Sequence, residues 1–287
     1  MASAAGISAA EAIVVGGFTD FVDTVRGALG GSHPATVVED DCTAVIVPDQ
    51  LADGAGVFGQ TWDMHDSATD HVVLLRIRPD GAPAALVFTT TGCVGQIGMN
   101  EAGVCVGINN LTAADGRAGV TWPVVVREML TRSSAGEALE VLRSAELAGA
   151  HNYLIFDSDG TGYDVEAMPS TRSELELADW PLVHTNHVLS PEAAAVEGDR
   201  PPALVAGSRE RLARAERLLK DRATAIGVDD VMALTRDPRS ICQTSTEPYR
   251  IESSGAAVMR PRTGDFWACW GPPAHNDYEH FTLATVT

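Results

Sequence analysis

The chain has 287 residues, of which 45% are hydrophobic, so it can bury one large core or two smaller ones. Its formal net charge is −19, and no cluster of Lys and Arg is present to neutralise phosphates, which excludes nucleic acid as a partner. No apolar run reaches the roughly 20 residues that span a bilayer, and the Ala-rich N-terminus lacks the basic region of a signal peptide.

A helical region precedes the first predicted strand. Ser8 and Glu11 form a capping-box pattern, and apolar residues then recur at helical spacing over residues 8 to 29, with a break at a glycine pair in the middle. Phe18 and Phe21 belong to this periodic set. We therefore expect both phenyl rings to be core residues.

Short apolar or alternating runs separated by turn residues dominate residues 42 to 109, as is typical of strands. A "PDG" sequence at residues 79–81 joins two of these runs and predicts a hairpin. A second hairpin is expected at residues 159–160, and the C-terminal part of the chain is again rich in strands. Hairpins of this kind favour antiparallel sheets.

Helices occupy the middle of the chain. Ser134 and Glu137 repeat the capping-box pattern, and a charged amphipathic helix is predicted around residues 212–219. Several strands are apolar on both faces, so their sheets must be covered on both sides. We expect an α+β fold in which two sheets pack together with helices outside them.

The residues that precede Cys42 raise a chemical question. Glu39, Asp40 and Asp41 run directly into this cysteine, and negative neighbours raise the pKa of a thiol. Five cysteines, an odd number without CxxC spacing, favour reduced thiols and a cytoplasmic location. Cys42 is therefore an inert core residue unless the acids are removed.

Four segments carry residues with possible chemistry: "DCT" at 41–43, "GQTWD" at 59–63, "MNEAGVCVGINN" at 99–110 and "HTNH" at 184–187. Each has an ordinary structural explanation when it is taken alone. A buried free cysteine behaves as a small hydrophobic residue, and a strand-end Asp is usually a turn residue.

A zinc-dependent hydrolase is one alternative. His184 and His187 are three residues apart, which places two imidazoles on one face if the segment is helical. An extended segment would point them to opposite faces, and the nearby sequence supplies no third ligand. We therefore predict no metal site. A binding protein without enzymatic activity is a second alternative.

Taken together and in order, the four segments resemble the acyl-coenzyme A:isopenicillin N acyltransferase family, the penicillin acyltransferase-like branch of the N-terminal nucleophile hydrolases. This resemblance implies a four-layer αββα sandwich of two antiparallel sheets and no cofactor. It also implies a precursor that cuts itself between Asp41 and Cys42. Residues 1–41 would then form a released segment that stays associated, and residues 42–287 the catalytic domain.

Such a cut would answer the question raised by the acids. It gives Cys42 an α-amino group with a reference pKa of about 7.7–8.0, which can take the thiol proton. By resemblance, Asp63 orients this amine, and Asn109 and Asn186 donate hydrogen bonds to the oxyanion.

Three further residues are expected to contact the substrate: Gln60, Trp62 and His184. Gln60 stands where related bile-salt hydrolases have arginine, which favours the acyltransferase branch. Trp62 would favour an apolar acyl group if it lines the pocket, and packing in the core is the alternative explanation for it. The family has an arginine on a late strand, and this sequence has Cys269 at the corresponding position. The substrate is expected to be a small amide or acyl thioester, with water or an amine as acceptor, and a homo-oligomer is possible.

Overall fold

The computed structural model describes residues 2–31, 41–222 and 224–283; Glu39 and Asp40 lie outside them. Eight α-helices occur among these residues: α1 Ala2–Ala5, α2 Ala9–Gly16, α3 Phe18–Ala28, α4 Trp122–Met129, α5 Ala135–Ser144, α6 Pro191–Ala194, α7 Pro202–Lys220 and α8 Val228–Thr235. Three short 3₁₀-helices lie at Asp49–Leu51, Asp66–His71 and Pro261–Thr263. The strands are β1 Asp41–Val47, β2 Val57–His65, β3 Val72–Ile77, β4 Ala85–Thr90, β5 Ile97–Asn100, β6 Cys105–Asn110, β7 His151–Phe156, β8 Gly162–Ala167, β9 Arg172–Glu176, β10 Leu182–His184, β11 Ile251–Arg260, β12 Asp265–Trp270 and β13 Glu279–Thr282.

The strands form two antiparallel sheets. One sheet has six strands in the order β10-β1-β2-β11-β12-β13, and the other has seven in the order β3 to β9. The hairpins predicted at residues 79–81 and 159–160 join β3 to β4 and β7 to β8, as expected. Each helix in the described ranges is too short or too polar to cross a membrane.

Three apolar clusters show the layering. The inner faces of both sheets meet in one cluster that includes Phe58, Phe88 and Phe156. The outer face of the seven-stranded sheet packs against α4 and α5, and that of the six-stranded sheet packs against α7 and α8. The order of layers is therefore helix, sheet, sheet, helix, as predicted.

Side-chain alternation along β1 and β2 sets the direction of the important groups. Ala44 and Ile46 belong to the inner cluster, whereas Val45 belongs to the cluster under α7 and α8. Because strand side chains alternate between faces, the thiol of Cys42 points inward and the carboxylate of Asp41 points outward.

The two capping patterns behave differently. Ser8 and Glu11 form the complete capping box at the start of α2. At α5, the hydroxyl of Ser134 accepts the Glu137 N–H at 3.2 Å, but the Glu137 carboxylate accepts the N–H of Ser133 at 2.9 Å. The second pattern therefore caps α5, but the Glu137 carboxylate bonds the residue before the N-cap instead of the N-cap itself.

The N-terminal helices break at the predicted glycines, but the expectation that Phe18 and Phe21 are core residues is wrong. Their exposed fractions are 45% and 46%. The face of α3 that is buried carries mainly polar side chains, namely those of Thr19, Asp20, Val22, Asp23 and Arg26. Helical periodicity identified the apolar face of α3 correctly. The face that packs against the rest of the molecule is the polar one, because α3 is held by hydrogen bonds.

Asp23 is the centre of this docking. Its carboxylate accepts the backbone N–H of Ala113 at 3.1 Å and that of Ala150 at 2.9 Å, and it forms a buried ion pair with Arg26. These contacts tie α3 to the connections on either side of α4 and α5. The bonds satisfy backbone donors that would otherwise be buried without a partner.

A second set of contacts lies one turn earlier in α3. The carboxylate of Asp20 accepts the N–H of Trp122 at 2.6 Å, and burial raises the pKa of Asp20 to about 7. The indole N–H of Trp122 donates to Thr19 at 3.1 Å, and the same hydroxyl contacts His151 at 3.2 Å. Together, the two sets attach α3 firmly to the rest of the molecule.

We predict that Asp23→Ala lowers the free energy of unfolding by about 3–5 kcal/mol, because it removes the carboxylate partner of a buried arginine and of two buried N–H groups. Phe21→Ala on the exposed face of α3 is the matched control and should change it by about 1 kcal/mol or less. Urea unfolding measures both. Equal effects of the two substitutions would contradict docking through Asp23.

Candidate active site

Cys42 lies near the start of β1 and is completely buried. Its backbone N–H donates to Asn186 Oδ1 at 2.7 Å. The same amide oxygen accepts a hydrogen bond from Nη2 of Arg211, also at 2.7 Å. The nitrogen that cleavage would free therefore already has a partner that could hold an amine in place.

The carboxylate of Asp41 forms ion pairs with two arginines that lie much later in the sequence, Arg200 and Arg211. Asp41 Oδ1 lies 3.1 Å from Arg200 Nη2 and 3.2 Å from Arg211 Nη2, and all three side chains are at most 3% exposed. Burial alone would raise the pKa of Asp41, but the charges of Arg211 and Arg200 outweigh it and lower the pKa. Asp41 is therefore a buried, ionised carboxylate.

Asp63 lies opposite Asp41 in the β1–β2 pairing and faces the same side. Its carboxylate accepts hydrogen bonds from Ser253 Oγ at 2.5 Å and Gln243 Nε2 at 2.9 Å. Burial raises the pKa of Asp63 to about 6, although Arg211 and these donors act against the shift. Asp63 was expected to orient the nitrogen of Cys42, but the hydrogen bond seen for that nitrogen goes to Asn186.

The two candidate oxyanion donors lie on neighbouring segments. Asn109 Nδ2 donates to the carbonyl of His184 at 3.3 Å, and Asn186 Nδ2 donates to the carbonyl of Asn110 at 3.1 Å. Each amide group has a second N–H. Asn109 Oδ1 has no hydrogen-bond partner among the described residues, so its side chain is the less constrained of the two.

The histidines of the "HTNH" segment have partners that leave little for a metal. His184 contacts Glu166 Oε1 through Nε2 at 3.0 Å and the carbonyl of Thr185 through Nδ1 at 2.8 Å. Burial lowers the pKa of His184, but Asp164 and Glu166 outweigh it and raise the pKa, which favours the protonated ring.

His187 Nδ1 contacts Ser208 Oγ at 2.7 Å. Within the described ranges, no group of three or more His, Cys, Asp or Glu side chains is placed to hold a metal ion. The geometry therefore does not support the zinc alternative.

Gln60 and Trp62, two expected substrate contacts, face the space between the sheets. Gln60 Nε2 donates to the carbonyl of Ile108 at 2.5 Å, and its Oε1 packs so closely on Gly107 that a Cβ atom there would lie 2.1 Å away. Gln60 Oε1 and Trp62 Nε1 are buried and lack a hydrogen-bond partner in the described part of the chain. Both groups remain predicted substrate contacts, as does His184.

Sequence reasoning missed Arg200, Arg211, Gln243 and Ser253. A signal for Arg211 was present, since it falls among the residues that form the buried face of α7, which are Leu204, Ser208, Arg211, Ala215 and Leu219. An arginine on such a stripe requires a buried anion. The late-strand arginine expected from the family is absent, since Cys269 occupies that position. Arg211 on α7 supplies a guanidinium to the site instead.

Comparison with known proteins bears on this geometry. The family described as acyl-coenzyme A:6-aminopenicillanic acid acyl-transferase matches residues 51–275, a range that includes Asp63, Asn109 and Asn186. This chain belongs to that family. The match begins after Cys42, so the family assignment and the role of the thiol rest on separate observations.

One curated relative is the 40 kDa form of acyl-coenzyme A:6-aminopenicillanic-acid-acyltransferase from Emericella nidulans. It is 30% identical over 152 residues, which make up 52% of this chain and 42% of that protein. The chain therefore aligns with less than half the length of this relative.

Two solved structures share the fold. An N-acylethanolamine-hydrolyzing acid amidase ortholog from Caenorhabditis elegans has a TM-score of 0.54 at 12% identity, covering 77% of this chain and 93% of that one. A mutant of conjugated bile acid hydrolase from Clostridium perfringens has a TM-score of 0.59 at 12% identity, covering 86% of this chain and 93% of that one. These likenesses confirm the predicted fold of two antiparallel sheets packed between helices.

The raised pKa of Asp63 gives a prediction for stability against pH. Because its pKa rises from 3.8 to about 6 on folding, the protonated carboxyl favours the folded state, and this stability is lost between those pH values. A Cys42→Ala background is used because it would prevent the self-cleavage predicted from the sequence. In that background, Asp63→Asn should reduce the loss of stability between pH 4 and pH 7 by about 2–3 kcal/mol. Urea unfolding at each pH measures it.

Asp66→Asn is the control, since the hydrogen bond from Ser245 lowers the pKa of Asp66. Its carboxylate contributes stability above its unfolded pKa, so its removal acts in the opposite direction. If Asp63→Asn left the pH dependence unchanged, the buried carboxyl would not be the group that titrates.

Proposed function

We propose that this chain is a self-processing cysteine enzyme that moves the acyl group of a small amide or thioester to water or an amine through an acyl-Cys42 intermediate. The observation that carries the proposal is the 2.7 Å hydrogen bond between the nitrogen of Cys42 and Asn186. Membership of an acyltransferase family supports the reaction class. The amidase named among the solved structures shares this fold.

Activation begins when the sulfur of Cys42 attacks the carbonyl carbon of Asp41. A carbon–sulfur bond forms, the carbon–nitrogen bond breaks, and the nitrogen of Cys42 becomes an amine. Water then hydrolyses the thioester, which leaves a carboxylate at Asp41 and restores the thiol. In this proposal residues 1–41 and 42–287 become separate chains.

In turnover the freed amine takes the thiol proton, and the thiolate attacks the acyl carbon of the substrate. Asn186 Oδ1 holds the amine, while the positive charge of Arg211 favours its neutral, basic form. The second N–H of Asn109 stabilises the oxyanion. The amine of Cys42 then returns the proton to the leaving group.

The released segment stays attached in this proposal, because α3 is fixed by the buried contacts of Asp20 and Asp23. All five cysteines are buried thiols rather than disulfides, which fits a reducing, cytoplasmic location. Whether two copies associate stays a prediction from the sequence.

Intact mass spectrometry tests the activation step. Wild-type protein should yield two chains, the larger of which begins at Cys42, while Cys42→Ala should remain a single chain. Cys105→Ala is a matched control, because Cys105 is also completely buried in the inner cluster, and this variant should still be cleaved. A folded wild-type chain that stays whole would refute self-processing.

Asn109→Ala tests the oxyanion assignment. The loss of one oxyanion donor should lower kcat by about 10²–10³-fold, because the tetrahedral intermediate forms without that hydrogen bond. Steady-state kinetics on any acyl substrate that the processed enzyme turns over gives the ratio. Asn100→Ala is the control, since the Asn100 amide bonds the carbonyls of Leu130 and Arg132. An unchanged kcat in Asn109→Ala would contradict the role.

A further inference from the structure

A buried pair of guanidinium groups lies beside the bond that self-cleavage would break. We propose that Arg200 and Arg211 form a subsite for a carboxylate on the acyl group of the substrate, which the side chain of Asp41 occupies before processing. This inference rests on the proposed function, and it narrows the substrates to amides or thioesters of dicarboxylic acids.

The geometry is that of a built carboxylate site. Arg211 reaches both oxygens of Asp41, with Nη1 at 3.3 Å from Oδ2 and Nη2 at 3.2 Å from Oδ1, and Arg200 Nη2 lies 3.1 Å from Oδ1. Arg200 Nη1 also donates to the carbonyl of Asn186 at 2.5 Å, which fixes its guanidinium. Planar guanidinium groups bind carboxylates in this multidentate way.

The positive charges of Arg200 and Arg211 favour binding of another carboxylate once that of Asp41 has left. When the Asp41 end leaves, both buried arginines lose the carboxylate they share, and Asp63 interacts with Arg211. The new α-amino group adds positive charge whenever it is protonated. Glu197 also interacts electrostatically with Arg200, but burial outweighs this attraction and raises the pKa of Glu197, and its carboxylate accepts the N–H of Val188 at 3.3 Å. Buried charges that lose a partner are strongly destabilising, so a substrate carboxylate is favoured there.

The self-cleavage step defines the acyl group that would fit. Asp41 contributes the acyl carbon of the first thioester, and its side-chain carboxylate is separated from that carbon by Cα and Cβ. A substrate with the same spacing carries a succinyl or N-acyl-aspartyl group. Attack by Cys42 would form its thioester and release the amine, and hydrolysis would release the dicarboxylic acid.

The test compares N-acetyl-aspartyl and N-acetyl-asparaginyl amides of aminomethylcoumarin with the processed enzyme. These two probes differ only in the carboxylate. We expect kcat/KM to favour the aspartyl probe by about tenfold or more, because a charged hydrogen-bonded pair replaces a neutral one. N-acetyl-aspartate should also inhibit turnover competitively at concentrations at which N-acetyl-asparagine does not.

Arg200→Gln should bring the ratio of the two kcat/KM values to within about threefold, whatever its effect on overall rate. Arg214→Gln is the matched control on α7, because Arg214 pairs with Asp237, and it should keep the wild-type ratio. A wild-type enzyme that is cleaved at Cys42 but treats both probes equally would overturn the subsite and leave the proposed function intact. An uncleaved wild-type chain that is inactive on both probes and on simple acetyl amides would overturn the function itself.

Discussion

Ion pairing between α7 and the start of β1 is the constraint on which the site depends. Asp41 and Asp63 face Arg211, and Arg200 joins them, so two negative and two positive charges are buried together. Buried charges are tolerated only when they are paired and hydrogen-bonded. The same guanidinium of Arg211 bonds Asn186, so pairing these charges also places the amide that holds the nitrogen of Cys42.

The sandwich keeps the charges away from the thiol. Alternation along β1 sends the carboxylate of Asp41 toward α7, while the thiol of Cys42 joins the inner cluster. The carboxylate that directly precedes the cysteine is also neutralised by two arginines. A negative neighbour in sequence therefore need not suppress the thiolate, which is the difficulty that the acidic run before Cys42 raises.

Local signals were enough to predict the caps, the hairpins and the layer order, because each depends on a few adjacent residues. The site required more than that. Arg211 is 170 residues from Asp41 and meets it only through the packing of α7 on the sheet. The error at Phe18 and Phe21 has a related cause, since the partners of α3 are backbone N–H groups at Ala113 and Ala150, which leave no pattern in a helical sequence.

The two ends of the N-terminal segment are held by different layers. Asp23 in α3 bonds backbone groups beside the seven-stranded sheet, whereas Asp41 is bound by Arg211 of α7, over the six-stranded sheet, and by Arg200, which precedes that helix. Before cleavage the chain connects these two attachments. Cleavage after Asp41 would break the link between Asp41 and Cys42 without disturbing any contact of α3. In the proposed mechanism the helix would remain docked while the carboxylate of Asp41 exchanges with a soluble carboxylate. One segment would then serve first as substrate and later as part of the outer layer.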